Sequence, residues 1–178
     1  MTWAGERCVE VPIALHYLEQ AAGMNVLEVG NVLSHYREVT HDVLDKFEKG
    51  RSVINEDILT YSPQKKYDLI LSISTFEHIG FDDEADEPSG KKIIAAIGAC
   101  RRLLSPSGRL IITVPLGYNP ELDALIAGGG LDAGAEYFLC RTGYTEWREC
   151  TKAEALKCRY KAPFPYANGL MVAHFSGR

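Results

Sequence analysis

The apolar positions of this chain alternate between two spacings, and the points where the spacing changes divide it into elements. In "ERCVEVPIALHYLEQAAG" (6–23), Val11, Ala14, Leu15 and Leu18 recur at helical intervals, Gly23 closes the stretch and Pro12 stands near its first turn. This predicts an opening helix. "NVLEVG" then reads as a buried strand ended by Gly30, and "HDVLDK" and "RSVINEDI" predict short second and third strands. After a loop at "TYSPQKK", the continuous apolar run "YDLILSIS" fits a central strand buried on both faces. In "SGKKIIAAIGACRRLL" the residues Ile93, Ile97, Cys100 and Leu104 form one helical stripe, and "SPSG" stops it before the strand "RLIITVP". That is a βαβ unit. Asn119 caps a further helix with Pro120 at its first position, a glycine run follows, and the tail predicts two strands, "EYFLCRTGYTEW" and "GLMVAHFSG", around a short helical segment.

Composition narrows the class. A chain of 178 residues, 46% apolar and 24% charged, is right for one globular domain over 1–178, with a core at 24–118 and a C-terminal strand, helix and strand at 119–178. A formal charge of −5 and a pI near 5.5 give no basic field for nucleic acid, although Arg148, Lys152, Lys157, Arg159 and Lys161 make the tail locally basic. The five cysteines form an odd set without a CxxC pair, which argues against a disulfide framework or a zinc cluster and predicts reduced thiols. The N-terminus carries Glu6 and Glu10 and has no apolar leader, and no uncharged apolar run approaches the ~20 residues of a membrane span. The expectation is a cytoplasmic protein.

An α/β sheet binds ligands beyond the C-terminal ends of its strands. Here those ends carry Glu28 and Gly30, Asp45, Asp57, and then Ser72, Ser74, Glu77 and His78. A carboxylate closing the second strand offers two oxygens to two adjacent ribose hydroxyls, which suits Asp45. Asp57 can accept from an exocyclic adenine amine, with Ile58 beside it to pack on the ring.

The succession "VLEVG", "DVLDK", "NEDIL", "YDLILSISTFEHIG" and "LLSPSGRLIITVP" resembles the class I S-adenosylmethionine-dependent methyltransferases over residues 24 to 118. The resemblance implies a Rossmann-like, mostly parallel α/β sheet flanked by helices, S-adenosyl-L-methionine as cofactor, and Glu28, Gly30, Asp45 and Asp57 as cofactor ligands. Ser74, at the end of the central strand, belongs to the same candidate set. Two departures change the picture. The family's further glycines are replaced by Asn31 to Tyr36, so Asn31, Ser34 and His35 are expected to hydrogen-bond the amino acid end of the cofactor by their side chains. The competing reading is a structural turn in a degenerate site. Residues 31–41 and 46–51 are also too few for full crossovers, which need about a dozen residues. Reduced crossover helices between strands 1 and 2 and strands 2 and 3 follow, and residues 8–22 are expected to cover the exposed sheet, with dimerisation as a supplement to a monomer.

Glu77 and His78 occupy a position where the family frequently has an EH pair. A histidine there can take a proton from a substrate hydroxyl, and a capped turn with a packed histidine fits equally. Methyl transfer depends heavily on alignment, so a strong base is not obligatory. "FDDEADEP" matches no metal-binding loop and reads as a solvated acidic segment, so no metal is expected. Trp3, Tyr118, Tyr144 and Trp147 fit an aromatic pocket or ordinary packing. Three functions stand in order: a methyltransferase for a small polar metabolite or sugar; a silent domain that binds S-adenosylmethionine, S-adenosylhomocysteine or a partner; and a nicotinamide-dependent oxidoreductase, disfavoured because Gly-x-Gly-x-x-Gly is absent.

Overall fold

A computed structural model describes residues 5–82 and 88–177. Its elements run α1 (Arg7–Gln20), β1 (Val26–Val29), β2 (Asp42–Leu44), β3 (Val53–Ile54), β4 (Tyr67–Ile73), α2 (Ser89–Leu103), β5 (Leu104–Pro115), α3 (Pro120–Gly128), β6 (Ala135–Arg141), β7 (Trp147–Cys150), α4 (Lys152–Ala155) and β8 (Gly169–Ser176). The strands form one sheet in the order β3-β2-β1-β4-β5-β8-β6-β7. The first five are mutually parallel, and β8 runs antiparallel to both β5 and β6.

Between β1 and β2 the chain makes only a single 3-10 turn, Leu33–His35, and between β2 and β3 it makes no helix. The sheet is covered from elsewhere. On one face α1 places Val11 and Ala14 against Leu69, Leu71, Ile73 and Ile111. On the other, Ile93, Ala96, Ile97 and Cys100 of α2 and Leu122 and Ile126 of α3 pack on Leu27, Ile70, Leu110 and Ile112. Burial of both faces along β4 explains its unbroken apolar run.

A carboxylate locks α1 in place. Glu10 is fully buried, accepts hydrogen bonds from Ser74 Oγ and Thr113 Oγ1 at 2.7 Å each, and is 2.5 Å from the Arg7 guanidinium. Burial pushes the Glu10 pKa above the ordinary carboxylate value although Arg7, Ser74 and Thr113 pull it down. The helix is thereby tied to the ends of β4 and β5, and Ser74 of this cluster lines the cavity described below.

Three expectations are corrected. Pro12 lies inside α1, beyond its first turn, because the helix starts at Arg7. "EYFLCRTGYTEW" is a hairpin, with β6 and β7 joined by residues 142–146, rather than one strand. Pairing Cys140 with Arg148 and Phe138 with Cys150 sets the two cysteines two residues apart on one face of that hairpin, and they form a disulfide with a Cα–Cα distance of 5.9 Å. Cysteine counting could not see this, because the odd total hides one bridge among three free thiols, Cys8, Cys100 and Cys158. Among the described residues no helix is long and apolar enough to cross a membrane.

Candidate active site

The parallel strands β1 to β4 end in a cavity of about 550 Å³. Val29, Leu44 and Ile58 give it an apolar floor, and Gly30, Asp45 and Asp57 bring polar groups from three successive strand ends. Asn31, His35, Ser74 and His78 also line it, whereas Glu28, Ser34 and Glu77 do not. Gly30 has φ of 88°, and a Cβ added there would lie 2.1 Å from Thr75 Oγ1, so the chain can leave β1 this way only through glycine.

Glu28 stands beneath the cavity instead of in it. Its Oε1 accepts the backbone N–H groups of Val32 and Leu33 at 2.9 and 2.8 Å, its Oε2 is 2.9 Å from His41 Nε2, and it is fully buried. The expected cofactor ligand is a loop anchor. A carboxylate whose oxygens are taken up by the loop and His41 has no exposed face to offer a ligand. His41, just ahead of β2, carried no sequence signal beyond being a histidine.

The side chains expected to replace the glycines bond to protein. Asn31 Nδ2 donates to Glu48 Oε2 at 2.6 Å, Ser34 Oγ donates to Asn31 Oδ1, and His35 Nε2 is 3.6 Å from Glu48 Oε2. Together they bridge the loop after β1 to the loop after β2. Glu48, which joins them, was not singled out in the sequence. Asp45 supports the same junction: its Oδ1 accepts the N–H groups of Phe47 and Glu48 at 2.8 and 2.7 Å, and its Oδ2 accepts Asn31 N–H at 3.1 Å. With about four acceptor positions on a carboxylate and three filled, Asp45 keeps one on Oδ2. That leaves room for one further donor, where the expected grip on two ribose hydroxyls calls for two.

Asp57 is less committed. Its Oδ1 accepts Leu59 N–H at 2.9 Å and its Oδ2 lies 3.2 Å from Lys46 Nζ, which leaves capacity on each oxygen. Ile58 follows it into the cavity wall with 8% of its surface exposed. Ser74 is held at φ of 40°, lines the cavity, and donates its hydroxyl proton to Glu10 in the clamp on α1.

The opposite wall carries the histidine. The short turn Phe76–His78 follows β4, and Asn119 at the start of α3 donates its Nδ2 to the Glu77 carbonyl at 2.9 Å. His78 is about half exposed in its side chain. Its Nδ1 bonds Asp82, which also accepts from the Tyr118 hydroxyl at 2.9 Å. Burial alone would raise the Asp82 pKa, but the hydrogen bonds from His78 and Tyr118 outweigh it and hold the carboxylate below its ordinary value. An ionised Asp82 keeps the proton on Nδ1 and leaves Nε2 as the acceptor nitrogen. Asp82 was read in the sequence only as the start of an acidic segment, and residues 83–87 of that segment, like Trp3, lie outside the described residues. Tyr118 meets the His78 and Tyr160 rings edge to face, each at 5.0 Å. Tyr144 is exposed and Trp147 lies by Arg141 on the far hairpin, so neither joins this wall.

Glu77 is 1% exposed, with Oε1 3.5 Å from His78 Nε2 and Oε2 without a hydrogen-bond partner among the described residues. Burial first, and the nearby Glu10 carboxylate second, push its pKa well above the ordinary value of 4.5. A raised folded pKa means that its contribution to stability is fully present below the unfolded pKa and is lost as pH rises toward the folded one. Urea melts should therefore show Glu77→Gln gaining stability relative to the parent as pH is raised from about 5 to about 8. A stability difference that does not change over that range would mean Glu77 ionises freely in the fold.

No protein-family model matches the chain, and no curated protein is similar to it in sequence. Among solved structures, the N-methyltransferase NodS from Bradyrhizobium japonicum WM9 is 18% identical over 97% of this chain and 96% of its own, with a TM-score of 0.52. The same protein in complex with S-adenosyl-L-homocysteine gives 16% identity over 94% and 87%, with a TM-score of 0.51. What these likenesses establish is architecture: the chain has the Rossmann-like α/β fold of the class I S-adenosylmethionine-dependent methyltransferases.

Proposed function

We propose that this protein is an S-adenosylmethionine-dependent methyltransferase acting on a small polar molecule, a metabolite or a sugar. The observation that carries the reading is the cavity itself, in which one glycine, two carboxylates and an apolar platform from β1, β2 and β3 face a carboxylate-oriented histidine after β4. Ile58 and Asp57 suit adenine, and the open position on Asp45 Oδ2 suits one ribose hydroxyl. Arg7 also reaches the cavity wall, with its guanidinium paired to Glu10. S-adenosylmethionine, when bound, supplies a methyl group activated by its sulfonium.

On the acceptor side the chain has three tasks. The first is positioning, since a methyl acceptor held in line gains most of its rate from orientation. The second is proton removal, which falls to His78 Nε2 as the acceptor nitrogen turned away from Asp82. The third is charge stabilisation of the imidazolium by Asp82, itself fixed by Tyr118. NodS is an N-methyltransferase by name, and the same dyad serves a nitrogen or an oxygen acceptor.

A silent binding domain is the second reading. It is favoured by the bridge of Asn31, Ser34, His35 and Glu48, which commits to the protein the side chains that would otherwise meet the cofactor.

Isothermal titration with S-adenosylhomocysteine should give binding to the parent and a loss of about 1–3 kcal/mol in Asp45→Ala, the cost of removing an acceptor from buried donors. Absence of binding to the parent overturns both readings, and equal affinity in the variant overturns the ribose assignment. His78→Ala should bind S-adenosylhomocysteine as tightly as the parent while turnover of the methylated acceptor falls by about 10²–10⁴. Unchanged turnover would reduce His78 to a wall residue, and a parent that binds but never transfers a methyl group would favour the silent domain.

A further inference from the structure

Three sulfur atoms meet at the far end of the sheet. Cys140 on β6 and Cys150 on β7 are joined as a disulfide, and Cys158, just beyond α4, is a half-buried free thiol whose Sγ is 4.0 Å from Cys140 Sγ. Tight packing from β8 fixes that third sulfur: a Cβ added at Gly169 would fall 2.8 Å from Cys158 Cβ and 3.2 Å from its Sγ. All three cysteines lie on the α4 side of the hairpin, packed on the same apolar cluster. A thiol held this close to one sulfur of a disulfide needs no encounter step before exchange.

We propose that Cys158 exchanges with the Cys140–Cys150 disulfide within the folded chain. The Cys158 thiolate attacks Cys140 Sγ, the Cys140–Cys150 bond breaks with its electron pair going to Cys150 Sγ, and a Cys140–Cys158 bond forms. One disulfide and one thiol stand on each side, and the proton lost by Cys158 is recovered by Cys150 through solvent. No external oxidant or reductant is consumed.

The two isomers tie down different parts of the fold. In one, the edge strand β7 is stapled to β6; in the other, β7 is released and the segment after α4 is stapled instead. That segment continues into Tyr160, whose ring packs on Tyr118, and Gly117 sits so close beneath it that an added Cβ would be 2.8 Å from Tyr160 N. Tyr118 in turn holds Asp82, the partner of His78. The exchange thus acts at the root of the wall that orients the histidine, and it does so whether or not the protein transfers methyl groups.

The test uses the full chain carrying Cys150→Ala, incubated with oxidised and reduced glutathione, quenched with acid, alkylated with N-ethylmaleimide and mapped by mass spectrometry. The expected product has Cys140 and Cys158 linked, with a loss of two hydrogens and no maleimide on either. A folded variant in which both residues are alkylated or separately glutathionylated would overturn the proposal. Should that variant not fold, the parent is treated identically and its one-disulfide species are analysed. Exchange predicts maleimide divided between Cys150 and Cys158, and label on Cys158 alone would contradict it.

Discussion

At the end of β1 the Glu28 carboxylate accepts the N–H groups of Val32 and Leu33 and faces the His41 ring, and the path of the loop over the cavity follows from that cluster. A loop that leaves a strand through one glycine exposes several backbone donors at once, and a buried donor without a partner costs about 1–3 kcal/mol. Glu28 satisfies two of them with charge-assisted bonds, the stronger kind. Leu33 can then turn inward to join the core under α1. The loop is set without further positive-φ residues, so side chains are tolerated where glycines were expected. Asp45 repeats the device from β2, where it holds Phe47, Glu48 and Asn31 by their N–H groups. The two carboxylates fix the loops that frame the cavity, Glu28 from beneath it and Asp45 from its wall.

The other half of the site is governed by too little positive charge in a buried place. Glu10 and Glu77 are both buried near the single guanidinium of Arg7, which is committed to Glu10 at 2.5 Å. Two carboxylates in low dielectric with one cation cannot both ionise cheaply. Glu77 carries the imbalance, with one oxygen bare of partners among the described residues, while Asp82, more exposed and hydrogen-bonded twice, is held below its ordinary pKa. The contrast sets the buried Glu77 carboxyl on the Nε2 side of His78 and the Asp82 carboxylate on its Nδ1 side.

Much of this was legible in the sequence because it rests on local pattern. The strand order of a βαβ run, the apolar spine of β4, the helix stripe of α2 and the cap at Asn119 all follow from periodicity and turn chemistry, and the short spans 31–41 and 46–51 implied a cover by α1. The acids at the ends of β2 and β3 were placed at the cavity, as expected from where parallel sheets bind ligands. What was missed depends on which lone pairs are already in use. Glu28 and Asp45 look alike in sequence, yet one is consumed by the loop and His41 and the other keeps a single open position. Glu10 counts in the sequence only as an N-terminal charge and Asp82 as part of a solvated acidic segment, since their partners Thr113 and Tyr118 are far along the chain. The Cys140–Cys150 bridge was hidden for a similar reason: it depends on a hairpin whose turn lies within what reads as one strand.

Amide hydrogen exchange at Val32 and Leu33, followed residue by residue by NMR in the parent and in Glu28→Gln, tests the role of the carboxylate most directly. The account predicts strong protection of both amides in the ligand-free parent and its loss in the variant, with the protection of β4 unchanged. Equal protection in the two proteins, or fast exchange already in the parent, would show that the loop is held by something other than Glu28.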